Sequence, residues 1–172
     1  SAAGQTVLRA ISGDGGRDLW AVTTPAISGS TQIAAGDIDG DGKPEILAQA
    51  TNQATMLAFE HDGSLKWTGP AYPGTQFTGL GGMAIADLDG DGVPEIVKGS
   101  QVFNSTNGSV RWTGNPFAAP PLAVVADVDM DGSPDVIAGN AVYRANGTLL
   151  WQIPALESSV KTAVANLDAD PF

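Results

Sequence analysis

Carboxylates at alternate positions recur along this chain. Asp37, Asp39, Asp41 and Glu45 form one set, Asp87, Asp89, Asp91 and Glu95 a second, and Asp127, Asp129, Asp131 and Asp135 a third. A fourth begins with Asn166, Asp168 and Asp170. Acids spaced by two in a tight loop can aim their oxygens at one point. That arrangement suits Ca2+, a hard cation that takes six to eight oxygens at about 2.3–2.6 Å. Gly42, Gly92 and Gly132 supply the positive φ that folds such a loop around an ion. Lys43, Val93 and Ser133 would each offer a backbone carbonyl, so their side chains are free to differ. Pro44, Pro94 and Pro134 follow; with no N–H and a fixed φ, proline suits the first position of an emerging strand. Three Ca2+ sites are expected. The fourth set lacks the glycine and the closing acid, and is expected to be weak or empty.

Other chemistries fit these residues less well. The helix-flanked twelve-residue calcium loop closes with a glutamate at position twelve, where this chain has Ala48, Lys98 and Ala138. Magnesium prefers a rigid octahedral site that keeps several waters. A merely soluble surface would scatter its acids, whereas here all but Asp14, Asp18, Glu60, Asp62 and Glu157 fall in the four sets. The formal charge of −11 argues against a nucleic-acid partner, because phosphate contacts need a basic face. The absence of cysteine removes disulfides, thiolate zinc sites and cysteine nucleophiles. No apolar run approaches the roughly 18 residues of a membrane span. His61 is the only histidine, and nothing places a serine beside it. Paired acids for glycoside chemistry would have to come from the loops themselves. The chain is therefore not expected to be an enzyme.

The acidic loops belong to a longer repeat. They start at 37, 87, 127 and 166, and a second motif, Gly-x-x-x-Trp, is interleaved with them: Gly16–Trp20, Gly63–Trp67, Gly108–Trp112 and Gly147–Trp151. All 4 tryptophans lie in it. With 22 glycines and 11 prolines, long helices have little room. Each repeat reads as four strands. A run of small residues such as Ile33–Ala35 or Met83–Ala86 precedes the loop, and a strand such as Glu45–Ala48 follows it. A third strand and a tryptophan strand come next, joined by a Gly-containing turn. Four short strands per unit of about 40 to 50 residues is the signature of a β-propeller blade. The fold expected is all-β: a partial β-propeller of three complete four-stranded blades with incomplete blades at both ends. The divisions fall at 1–26 (the last two strands of a blade), 27–69, 70–114, 115–153 and 154–172 (the start of another). Either the chain is part of a larger propeller or two chains assemble one ring. Exposed blade faces would favour self-association.

The loops Asp37–Glu45, Asp87–Glu95 and Asp127–Asp135, set between short strands, resemble the calcium repeats of the FG-GAP / VCBS family. That family includes the integrin α-subunit propeller and many bacterial secreted proteins, and the resemblance runs from about residue 27 onward. It implies a seven-bladed-type propeller with calcium held between the first two strands of a blade. The Phe-Gly and Gly-Ala-Pro signatures of integrin blades have only partial echoes in Phe77-Thr-Gly79 and Phe117-Ala-Ala-Pro120, so the bacterial relatives look closer.

The function expected is an extracellular adhesion or recognition module, secreted or at the cell surface, with structural calcium and a protein or carbohydrate partner on a propeller face. A lectin and a non-catalytic ancillary domain of a secreted polysaccharide-degrading enzyme are the alternatives. The connection Thr68–Gly82, with Tyr72 and Phe77, is the candidate recognition loop. The tryptophans are expected to pack between blades rather than stack on sugars. Asn107-Gly and Asn146-Gly fall in glycosylation-type triplets, but their turn role is expected to dominate.

Overall fold

The computed structural model describes residues 6–72, 82–114, 122–153 and 163–165. The fold is all-β, in four antiparallel sheets. The first is a pair, β1 (Leu8–Ile11) and β2 (Asp18–Val22). Three four-stranded sheets follow, each ordered as in sequence: β3 (Ala34–Gly36), β4 (Glu45–Gln49), β5 (Thr55–Phe59) and β6 (Leu65–Ala71); β7 (Ala84–Ala86), β8 (Glu95–Lys98), β9 (Gln101–Asn104) and β10 (Val110–Thr113); β11 (Val124–Ala126), β12 (Asp135–Ala138), β13 (Ala141–Tyr143) and β14 (Leu149–Gln152). No helix occurs among the described residues, and none is long and apolar enough to cross a membrane.

Burial explains the strand sequences. All five residues of β5 and all four of β8 and β12 are buried, so these strands are covered on both faces. A strand covered on both faces reads as a continuous apolar run rather than an alternation, as Met56-Leu-Ala-Phe59 does. Three clusters lie between successive sheets. Leu8, Ile27, Leu57 and Phe59 pack under the first pair. Ile38, Leu47, Met56, Ile96 and Phe103 fill the next gap, and Leu88, Val97, Val102, Val136 and Tyr143 the one after. Each fully buried Leu, Ile or Phe contributes about 1.5–3 kcal/mol. The first strands are small because they crowd: a Cβ on Gly36 would lie 3.1 Å from the Cδ1 of Ile85 in the next sheet.

The tryptophan strands carry the joints between sheets. Trp20 donates its indole N–H to the His61 carbonyl at 2.9 Å, Trp67 to that of Ser105 at 2.9 Å and Trp112 to that of Ala145 at 2.7 Å. Each indole lies over the glycine of the next turn, as expected for packing between repeats. Asn107 and Asn146 accept the amides of Ser109 and Thr148, both at 2.9 Å, so they do serve their turns.

Two expectations need revision. Tyr72 is not offered for recognition: it is buried and meets Phe103 edge-on, with ring centroids 5.0 Å apart, because β6 runs on through Ala71 and holds it inward. Residues 163–165, expected as the first strand of a further repeat, are exposed and form no strand. Phe77, Phe117, Asn166, Asp168 and Asp170 lie outside the described residues.

Candidate metal centre

Each of the three described acidic loops hangs between the first and second strands of a four-stranded sheet. In the first loop, the Asp37 carboxylate accepts the amides of Gly40 at 2.7 Å and Gly42 at 2.9 Å. Both glycines are left-handed, with φ of 80 and 83°. These bonds wrap the chain around the acid, and the Gly42 amide is the first reason that Asp37 is held below the usual carboxylate range. Asp87 repeats the pattern with Gly90 and Gly92, at 2.8 and 2.9 Å. In the third loop Asp127 accepts Asp131 at 3.1 Å and Gly132 at 2.9 Å. Met130 stands there where the other loops have glycine, yet keeps φ at 56°. A side chain in that region costs about 1–2 kcal/mol.

Lys43, Val93 and Ser133 donate their amides to Asp41, Asp91 and Asp131 at 2.8, 2.8 and 2.9 Å. The apolar residue between the first two acids anchors the loop: Ile38 and Leu88 are buried. Their amides bond the closing acids, Ile38 to Glu45 Oε2 and Leu88 to Glu95 Oε2, each at 2.9 Å. Val128 reaches Asp135 at 3.2 Å in the same way. The closing acids Glu45, Glu95 and Asp135 are buried, and burial raises the pKa of each.

These bonds bring carboxylate oxygens together. Asp37, Asp39 and Asp41 each place an oxygen within 4.8 Å of the others, as do Asp87, Asp89 and Glu95, and Asp127, Asp129 and Asp135. Ligands on one calcium ion can stand up to about 5 Å apart, twice the bond length, so these groups could hold a metal ion. Asp91 and Asp131 fall outside the close groups of their loops. Glu60 joins Asp39 and Glu45 in a further group. The corresponding residue in the next sheet, Asn104, pairs directly with Glu95. The sequence signal for Glu60 was its place directly after the third strand.

The residues that fit a divalent cation best are in the first loop. Glu45 is fully buried, its Oε2 is bonded to Ile38, and its Oε1 has no hydrogen-bond partner. A buried carboxylate oxygen left unsatisfied is costly, and a metal ion would satisfy it. The donors are all oxygen, which favours Ca2+ over softer-ligand metals.

A basic residue also reaches each of the three described loops, a feature absent from the sequence expectations. Lys66 contacts Asp39 at 2.5 Å and Glu60 at 2.8 Å. Arg111 contacts both Asp89 and Glu95, and Arg144 reaches Asp131 together with Asp129, the latter at 2.7 Å. Their positions follow from bulges. Leu65 faces Phe59 but Trp67 faces Ala58, which leaves Lys66 as the extra residue. Likewise Val110 faces Phe103 and Trp112 faces Val102, which leaves Arg111. A bulge re-aims the side chain it carries. In the third sheet the bulge position is Leu150, and Arg144, directly after β13, takes over. The bond to Asp39, then that to Glu60, raises the pKa of Lys66, and Lys66 in turn lowers that of Asp39. Arg111 bonds the Glu95 Oε1, whose counterpart Glu45 Oε1 has no hydrogen-bond partner.

No family model matches the chain, and no curated protein matches it. Solved structures do. Over 88% of its length the chain is similar to the biofilm matrix protein Bap1 of V. cholerae, at 28% identity and a TM-score of 0.72. Over 87% it is similar to the exotype rhamnogalacturonan lyase YesX, at 22% identity and a TM-score of 0.63. Over 92% it is similar to the rhamnogalacturonan lyase PL11 of Bacillus licheniformis, at 18% identity and a TM-score of 0.67. The chain spans 24% of the first of these, 35% of the second and 32% of the third. The two lyases share its fold, and the region it matches is a minor part of each.

Proposed function

We propose that the chain is a calcium-stabilised segment of a β-propeller of FG-GAP / VCBS type, with each four-stranded sheet a blade, serving as a secreted adhesion or recognition module. One observation carries the calcium reading: the buried Glu45 Oε1 has no hydrogen-bond partner, and Glu45 lies in one close carboxylate group with Asp39 and Glu60. Asp37, Asp39, Asp41 and Glu45 would hold the first ion, with the Lys43 carbonyl. Asp87, Asp89, Asp91, Glu95 and the Val93 carbonyl would hold the second; Asp127, Asp129, Asp131, Asp135 and the Ser133 carbonyl the third. The ion supplies charge neutralisation, tying the two strands that flank each loop. The acids serve ligation rather than catalysis.

Such dependence suits calcium-rich extracellular fluid. A site that binds a hundredfold below the ambient calcium level adds about 2.7 kcal/mol to stability. The similarity to a biofilm matrix protein supports an adhesive role on a protein or carbohydrate partner. The similarity to rhamnogalacturonan lyases favours a second reading, a non-catalytic module beside a polysaccharide-degrading domain. The test is melting in calcium against melting in chelator, followed by a glycan array in millimolar calcium. A large calcium-dependent rise in Tm is expected. An unchanged Tm would remove the calcium reading, and a bare array would remove the lectin form of recognition.

A further inference from the structure

The position directly after the third strand differs in charge from sheet to sheet. Ile46 faces Phe59, Ile96 faces Phe103 and Val136 faces Tyr143 in the three ladders. The residues that follow are Glu60, Asn104 and Arg144, one acidic, one neutral and one basic. All three open the tryptophan hairpin alike, donating their amides to the carbonyls of Ser64, Ser109 and Thr148 at 2.8, 2.9 and 2.9 Å. The backbone is matched at this position, and the side chain is what varies.

The partners of the basic residue at each loop vary with it. Lys66, the residue before Trp67, bonds Glu60 at 2.8 Å and Asp39 at 2.5 Å. The Glu45 Oε1 stays without a hydrogen-bond partner, although Glu45 belongs to the same close carboxylate group and its charge acts on Lys66. Arg111, the residue before Trp112, holds the same strand position but finds no acid at 104. The Asn104 side-chain amide is turned to the Ser109 hydroxyl at 2.8 Å, and the guanidinium pairs with the closing acid Glu95 as well as with Asp89. In the third sheet the base itself stands at the position, and both partners of Arg144, Asp129 and Asp131, are loop acids. An ion entering the first loop therefore breaks one contact between a basic residue and a ligand. In the second and third loops it breaks two.

We propose, resting on the calcium reading of the loops, that Glu60 is a positioning residue that makes the first loop the tightest of the three described calcium sites, by holding Lys66 off the closing acid Glu45. Calcium takes Asp39 and Glu45, and Lys66 keeps Glu60 as its partner. One hydrogen bond between charged groups changes affinity about tenfold, so the loop that loses one such contact rather than two should bind about tenfold more tightly and fill first.

Calorimetric calcium titration of the full chain in a Glu95→Gln, Asp135→Asn background isolates the first loop. Glu60→Gln should weaken binding there about tenfold, because Lys66, left without Glu60, turns to Glu45 as Arg111 turns to Glu95. With Lys66→Met added, the same Glu60→Gln change should leave affinity nearly unchanged, since no ammonium remains to be held; this double-mutant cycle separates positioning from ligation. Calcium bound with unchanged affinity by Glu60→Gln would overturn the proposal. An equal loss with and without Lys66 would overturn it too, by making Glu60 a ligand in its own right. Wild type that takes up no calcium would overturn the calcium reading and this proposal with it. Circular dichroism checks that each variant is folded. If the background chain is not, the first-filling site of wild type is compared with that of Glu60→Gln and of Glu60→Gln, Lys66→Met, with the same expected outcomes.

Discussion

Replacing Arg111 by methionine should tighten calcium at the second loop. The guanidinium now takes the Glu95 Oε1 and the outer oxygen of Asp89, and an ion bound there must first release Glu95 from it. A hydrogen bond to a charged group is worth about 1.5–3 kcal/mol net. Arg111 and Asp89 are each about one-third exposed (34% and 33%), against 5% for Glu95, so solvent screening places the value at the low end. Removing about 1.5 kcal/mol of competition should raise affinity about tenfold. Methionine keeps the apolar stem and removes only the charge. The same change should lower the calcium-free Tm by about 3–6 °C, since a chain of this size shifts about 2–4 °C per kcal/mol. Calorimetric titration in a Glu45→Gln, Asp135→Asn background isolates the second loop. Unchanged or weaker calcium binding by Arg111→Met would refute the reasoning, and would make Arg111 a support for the ligands rather than an occupant of their place.

Glu45→Gln should raise the calcium-free Tm, because it removes a buried, half-satisfied charge, and should abolish one calcium equivalent in titration. Met130→Gly should stabilise the protein by about 0.5–1 kcal/mol in denaturant melts, relieving a left-handed side chain that is 63% exposed and packs on little. Gly108→Ala should destabilise by more than about 1 kcal/mol, because the new Cβ would fall 2.7 Å from Trp67 at a φ of 70°. Burial pulls Lys98 down to about 8. A lysine lowered in the folded state penalises folding below that pKa, and the penalty fades as pH rises from about 8 towards its ordinary 10.5. A Tm series should therefore show stability rising from pH 8 upward relative to a Lys98→Met variant, which lacks the titrating group.

Much of the fold was legible because its signals are local and repeated. The small first strands, the apolar runs of β5 and β8 and the glycine turns each appear several times, and repetition separates pattern from chance. The loop acids were legible for the same reason: alternate spacing and a glycine are enough to wrap a chain around an oxygen cluster. The basic residues were not. Lys66 and Arg111 sit where a regular strand would aim them away from the loop, and only the bulge beside the tryptophan turns them towards it. Glu60 is far in sequence from Asp39 and meets it only through the ladder. Tyr72 looked like a loop aromatic because the extra length of β6 has no counterpart in the other repeats.

Among the described residues, the backbone hydrogen bonds run within each sheet and none spans two sheets. Neighbours are held by interleaved side chains, by indole bonds and, between the first two four-stranded sheets, by the Ser105 hydroxyl, which donates to the Ile38 carbonyl at 3.1 Å. Under tension applied at its termini, such a molecule would peel one sheet at a time, each release exposing a fresh apolar face while the remaining ladders stay closed. A force trace should then be a sawtooth rather than a single rupture, and calcium in the loops would set the height of each tooth by clamping the first two strands of the sheet being peeled.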